Sequence, residues 1–101
     1  MIVHIHGRKS KFEISKNDES RIMKWEEACK RSSEGWRLPT SKELNLIFEI
    51  KDILKNMEGW YYWTSDNSKD ENFIICQDFS NGKQLPCLKD TENCVRLVRD
   101  I

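Results

Sequence analysis

Apolar and polar positions change their period along the chain, and each change marks an element. Residues 1–6 alternate, Ile2, His4 and His6 against Val3 and Ile5, which is the period of a strand. Gly7-Arg8-Lys9-Ser10 reads as a polar turn and Lys11-Phe12-Glu13-Ile14 as a second short strand, so the two are expected to form a hairpin. Residues 15–20 are polar, with Asp18 or Ser20 expected to start a first helix. From 21 to 33, Ile22, Trp25, Cys29 and partly Ala28 recur at three- and four-residue spacing, one helical stripe with Met23 off it.

The period then breaks at the stretch around which the rest is organised, Gly35-Trp36-Arg37-Leu38-Pro39-Thr40-Ser41-Lys42-Glu43-Leu44. Gly35 is expected to stop the incoming helix in the left-handed cap conformation. Trp36 and Leu38 alternate around Arg37 as in a very short strand, and Pro39 holds Leu38 extended. Thr40 with Glu43 three residues later predicts a capping box: the Thr40 hydroxyl accepts from the Glu43 amide, and the Glu43 carboxylate accepts from the Thr40 amide. A second helix should run from there to about Lys55. Leu44, Ile47, Phe48 and Leu54 lie on one face, and Leu46, Ile50 and Ile53 widen it, so this helix is expected to be covered on more than one side.

Beyond a turn at residues 56–59, the run Trp60-Tyr61-Tyr62-Trp63-Thr64-Ser65 predicts a strand. Alternation buries Tyr61 and Trp63, or Trp60 and Tyr62, but not both pairs. Residues 66–72 are polar and read as an exposed loop. Residues 73–79 predict a strand, Asn81-Gly82 a hairpin turn, and residues 84–88 the returning strand, which Pro86 places at a sheet edge. After a turn at 89–93, residues 94–99 close the chain as a strand, with Val95 and Leu97 facing one way and Cys94, Arg96 and Val98 the other. Two helices within a run of hairpin-connected strands define an α+β domain with an antiparallel sheet, whose first and last strands are expected to pair.

Composition narrows the function more than the fold. The 101 residues suffice for one domain, and ten aromatics, four of them Trp, supply a core for an otherwise polar chain. Lys plus Arg and Asp plus Glu number 17 each, so neither nucleic acid nor an acidic membrane is the expected partner. No run reaches membrane-spanning length, and residues 1–6 lack the basic lead and apolar core of a secretory signal, which predicts a cytoplasmic or virion-associated protein. The four cysteines (Cys29, Cys76, Cys87, Cys94) show no Cys-x-x-Cys spacing and are expected to be reduced and mostly buried. His4 and His6 share a strand face but have no third ligand nearby in sequence, so a metal is not expected there. Asp66, Asn67, Asp70, Glu71 and Asn72 offer oxygens, yet read better as a flexible acidic loop than as a calcium site. No phosphate loop, Ser/His/Asp set or paired-carboxylate signature is present, and no enzyme activity and no cofactor are expected.

The order Trp25-Glu26-Glu27-Ala28-Cys29, Gly35-Trp36-Arg37-Leu38-Pro39-Thr40-x-x-Glu43-Leu44, Tyr62-Trp63-Thr64-Ser65, Asp78-Phe79-Ser80-Asn81-Gly82 and Val95-Arg96-Leu97-Val98-Arg99 resembles the Lcl C-terminal domain family. This domain of unknown function is also found at the C-terminus of the Legionella collagen-like protein. The resemblance covers roughly residues 21–100. It implies a C-type lectin-like fold, with two helices packed on a twisted antiparallel sheet and paired N- and C-terminal strands. It also implies ligand binding by loops and late strands, in a family used mostly to recognise glycans, glycosaminoglycans or host and phage surface proteins.

The Arg-Leu-Pro-Thr-x-x-Glu block also appears in the formylglycine-generating enzymes. The copper-binding cysteine pair those enzymes need has no match around Cys87 and Cys94, the nearest pair here. Leu97 stands where the family often has cysteine, so a lectin-style pattern would have to join Cys29 to Cys94 and Cys76 to Cys87.

The expected function is that of a non-catalytic binding module encoded by a bacterium, a phage or another mobile element. Its expected contact residues are Trp60, Tyr61, Tyr62, Asp66, Asn67, Asn81, Lys83 and Lys89. A protein is the expected partner, with a glycan second and self-association also compatible. The alternative is a small inhibitor or accessory protein of a larger intracellular complex.

Overall fold

The capping box forms as the local chemistry dictates. In the computed structural model, which describes residues 1–4, 11–57 and 59–101, the Glu43 amide donates to the Thr40 hydroxyl at 3.1 Å and the Thr40 amide to the Glu43 carboxylate at 2.9 Å. Helix α2 (Ser41–Glu49) starts there. It ends earlier than the apolar arc suggests, because Ile50 leaves helical geometry and a separate short turn α3 (Lys51–Leu54) follows. Gly35 takes positive φ as expected, but in the turn between Ser33 and Trp36, after helix α1 (Trp25–Lys30) has already closed at Arg31.

Two antiparallel sheets flank the helices. The first contains β1 (Ile2–His4), β2 (Lys11–Ile14), β3 (Trp36–Arg37) and β7 (Val98–Asp100), in the order β1-β2-β7-β3. The second contains β4 (Tyr61–Asn67), β5 (Phe73–Asp78) and β6 (Gln84–Leu88), in that order. The fold is thus α+β, with two corrections to the expected topology. There are two sheets, and the chain ends do not pair directly: β2 lies between β1 and β7, with Glu13 opposite Arg99. β1 and β2 pair antiparallel, and β7 adds to the other edge of β2. The turn expected at residues 7–10 lies outside the described residues, as does the face shared by His4 and His6.

The first helix departs most from its stripe. Residues 19–23 run beside residues 93–95 with a bend at Ser20 and Arg21, and Met23 and Asn93 exchange backbone hydrogen bonds of 3.0 Å in an antiparallel bridge. Strand-like geometry puts successive side chains on opposite sides. Met23 is therefore fully buried and Ile22 is half-exposed, the reverse of the helical expectation. Asp18 is not a helix cap. Its carboxylate accepts from Arg96 at 2.9 Å and from the Tyr62 hydroxyl at 2.5 Å.

The core has two parts, one on each side of β4. Met23, Ala28, Leu38, Trp63, Ile74, Cys76, Val95 and Leu97 form one. Phe12, Ile14, Leu44, Ile47, Tyr62, Phe79 and Val98 form the other, where α2 is covered by residues from both sheets. Val95 and Leu97 face the first part while Cys94 and Val98 face the second, so the expected alternation holds even though only residues from Val98 onward join a sheet ladder.

Cys76 and Cys87 are disulfide-bonded, which corrects the expectation of reduced thiols at that pair. The register sets Cys76 opposite Leu85 and Cys87 opposite Ile74, so the two cysteines are diagonal neighbours on the inner face of β5 and β6. Cys29 and Cys94 are free: Cys29 packs against the first cluster and Cys94 against the second.

Candidate recognition surface

The eight sequence-predicted contact residues fall at two ends of the β4-β5-β6 sheet. Tyr61 and Asn67 lie at opposite ends of β4, about 20 Å apart. Trp60, Tyr61, Asn81 and Lys83 gather at one end, around the β5–β6 turn. Asp66, Asn67 and Lys89 lie at the other. Tyr62 belongs to neither.

At the first end the backbone is held tightly. The Asp78 amide donates to the Lys83 carbonyl at 2.8 Å and the Gly82 amide to the Asp78 carbonyl at 2.7 Å. The Asp78 carboxylate accepts from the Ser80 amide at 2.8 Å and hydroxyl at 2.6 Å. These bonds, with a further one from the Tyr61 hydroxyl, hold the Asp78 carboxyl below its usual range. Gly82 has φ +82°, and a Cβ there would meet the Phe48 ring at 2.6 Å, so only glycine lets this turn sit on α2. The Phe79 amide donates to the Trp60 carbonyl at 2.6 Å, fixing the start of β4 against the turn. On this frame Trp60 is 73% exposed and Tyr61 38%, with Asn81 and Lys83 also exposed.

Three predicted contacts are engaged within the fold. Tyr62 is fully buried: its hydroxyl donates to Asp18 and accepts from the Gly59 amide at 2.8 Å, and burial with the neighbouring carboxylate pushes its pKa far up. Asp66 accepts from the Ser41 amide at 2.8 Å and also from its hydroxyl, tying β4 to the start of α2. The Lys89 ammonium lies 5.3 Å from the Trp25 ring centroid, a cation–π contact. The oxygen-rich loop spends its groups locally, since the Asp70 carboxylate accepts from the Asn72 amide at 2.9 Å and Ser68 bonds both the amide and the carbonyl of Asp70. Among the described residues, no three His, Cys, Asp or Glu side chains are grouped to hold a metal ion.

The free thiols are poorly placed for chemistry. Burial and then Glu26 raise the Cys29 pKa; burial and then Asp18 raise that of Cys94. A thiol so shifted is mostly protonated and a weak nucleophile near neutrality. Cys87 is bridged to Cys76, so it does not pair with Cys94.

Sequence reasoning missed three features. The Arg37 guanidinium grips the Glu43 carboxylate at 2.7 and 2.8 Å and reaches Asp100 at 2.7 Å, joining the corner, α2 and the last strand. Burial raises the Glu43 pKa, but the bonds from Arg37 and Thr40 outweigh it and hold the carboxyl below its ordinary value. Arg96 is almost fully buried and spends its guanidinium on Asp18, Asn56 and the Ser15 carbonyl. The third is an open groove of about 570 Å³ on the outer face of the second sheet, floored by Phe73, Ile75 and Pro86 and walled by residues 67–70. Its signal was in plain view: Phe73 and Ile75 are apolar on the strand face opposite Ile74 and Cys76.

Two antiparallel sheets around a capped helix define a small α+β domain. Its sequence places it further: the Lcl C-terminal domain profile matches residues 9–99, and the chain belongs to that family. The match begins ahead of the blocks that first suggested it and takes in β2. No curated protein matches the chain.

Proposed function

We propose that the chain is a non-catalytic binding module of C-type lectin-like type that recognises a protein partner through the tip formed by Trp60, Tyr61, Asn81 and Lys83. The observation that carries this reading is the 73% exposure of Trp60 beside a turn locked by its own hydrogen bonds. A large apolar ring on a pre-ordered frame loses little conformational entropy when covered, and Trp is enriched among residues that dominate interface energy. Asn81 and Lys83 supply polar contacts at its rim. The same ring beside amide and ammonium groups also suits the face of a sugar, which makes glycan binding the second reading.

The test compares the immobilised chain with its Trp60→Ala variant. Retention from a host extract of one stoichiometric protein that the variant fails to hold supports the first reading. A glycan-array signal lost in the variant supports the second. Equal behaviour of the two chains on both platforms overturns the assignment to this tip.

A further inference from the structure

Asn81-Gly82 carries chemistry of its own besides a turn. The backbone nitrogen of a residue that follows asparagine attacks the side-chain amide carbon; a C–N bond closes a five-membered succinimide and ammonia leaves. Water then opens the ring at either carbonyl, giving Asp or isoAsp, and isoAsp carries the chain through one extra methylene. Glycine favours the attack, because no Cβ shields its nitrogen. Of the seven asparagines, Asn81 alone is followed by glycine, and it is exposed. By local chemistry it is the most labile amide in the chain.

The fold opposes ring closure at each reacting atom. The Gly82 nitrogen must give up its proton to attack, and that proton is donated to the Asp78 carbonyl at 2.7 Å. The Asn81 side-chain oxygen accepts from the Lys83 amide at 2.9 Å, which turns the carboxamide toward Lys83 and holds it there. Rotation of the backbone between them is blocked as well. Gly82 sits at φ +82° with no room for a Cβ before the Phe48 ring, and its carbonyl accepts from the buried Gln77 side chain at 2.9 Å. The Asp78 carboxylate holds Ser80 in the same turn. Ring closure therefore requires the turn to leave its seat on α2, a local opening short of whole-chain unfolding.

We propose that Asn81 is a modification site whose deamidation is gated by that opening, and that the isoAsp product keeps the turn out of its seat. The Asp product retains an oxygen for the Lys83 amide and adds one negative charge beside Lys83. The isoAsp product does more. Its extra methylene enters the backbone directly before Gly82, where even a Cβ would come within 2.6 Å of Phe48, so Gly82 cannot keep its bonds to both Asp78 and Gln77. Trp60 loses its frame with it, since the Phe79 amide at the start of the turn bonds the Trp60 carbonyl. The isoAsp chain should thus bind its partner less well, a consequence that rests on the tip assignment above.

The test incubates the full chain, disulfide intact, in mildly alkaline buffer with and without guanidinium chloride. Peptide mass spectrometry follows loss of the Asn81 amide, with Asn67, which serine follows, as internal reference. Asn81 should deamidate about tenfold or more slowly in the folded chain than in the unfolded one. Asp78→Ala and Phe48→Ala should each raise the folded-state rate about threefold or more, without changing the rate in denaturant or the folded-state rate at Asn67. Asp78→Ala leaves the core intact and carries the test alone should Phe48→Ala not fold. Hydrogen exchange on the isolated isoAsp form should find the Asp78 amide unprotected, and protection equal to that of the parent chain overturns the second half of the proposal. Equal rates with and without denaturant overturn the first half. So does a folded-state rate indifferent to Asp78→Ala, or an Asn67 that accelerates in step with Asn81. None of these readings uses a partner, so failure at the tip leaves them standing, and failure here leaves the tip assignment standing.

Discussion

Trp60 and Trp63 are three positions apart in one aromatic run, and the fold uses them in opposite ways. Trp63 is fully buried in the first core cluster, with its indole N–H donating to the Met23 carbonyl at 2.8 Å. Trp60 is 73% exposed. Their neighbours divide in the same way: Tyr62 is buried against Phe79, ring centroids 4.7 Å apart, while Tyr61 stands at the surface. The boundary is set by what covers β4. From residue 62 to 64 the strand has core on both faces, the first cluster with α1 on one side and the second with α2 on the other. A strand alternates only where one face is wet. Outside that cover, composition no longer decides exposure, and the same residue type becomes available to a partner.

The comparison can be broken experimentally, beginning at its buried end. Trp63→Ala should lower unfolding stability by about 4 kcal/mol, through lost burial and the cavity left behind. A change under about 1 kcal/mol in denaturant melts would mean the ring is not enclosed. Tyr62→Phe keeps the ring and removes only its hydroxyl, so it should cost about 1.5 kcal/mol by stripping Asp18 and the Gly59 amide of a partner. An unchanged melt would remove that hydroxyl from the network.

At the corner, Thr40→Ala should cost about 1 kcal/mol. Glu43→Ala should cost more, because it also strands Arg37, and the double variant less than the sum. Strict additivity in a double-mutant cycle would mean that the two side chains do not bond each other. The same carboxylate gives a pH signature. Its folded pKa lies below the unfolded value of about 4.3, so its contribution is complete above that value and fades as the pH falls through the folded one. The wild type should therefore lose more stability than Glu43→Gln between about pH 5 and pH 2, and parallel curves would contradict the assignment. The smallest effect on stability belongs to Trp60→Ala, within about 0.5 kcal/mol, and a larger loss would show that the ring packs on the fold instead of waiting for a partner.

Legibility varied with the range of the interactions involved. The capping box, the Asn81-Gly82 turn and the edge position of β6 rest on residues within a few positions of one another, and all three appear where local rules put them. Met23 and Ile22 exchanged roles because residues 19–23 follow the distant segment 93–95 rather than their own helical period. The candidate site was half-legible for the same reason. Asn81 and Lys83 are exposed because a tight turn exposes its own tip, whereas Tyr62 and Asp66 were claimed by Asp18 and Ser41, partners 44 and 25 positions away.

By itself the sequence determined the α+β class, the corner that starts α2, the β5–β6 hairpin and the family, since each is written in short-range chemistry or in blocks of fixed order. Only the tertiary structure decided that the chain ends are separated by β2, that Arg37 and Arg96 are spent on holding distant segments together, and that Trp60 faces solvent while Trp63 does not. Those outcomes depend on which surfaces meet. A pattern of apolar positions says that a face will be covered, but the covering element is chosen by the packing of the whole chain.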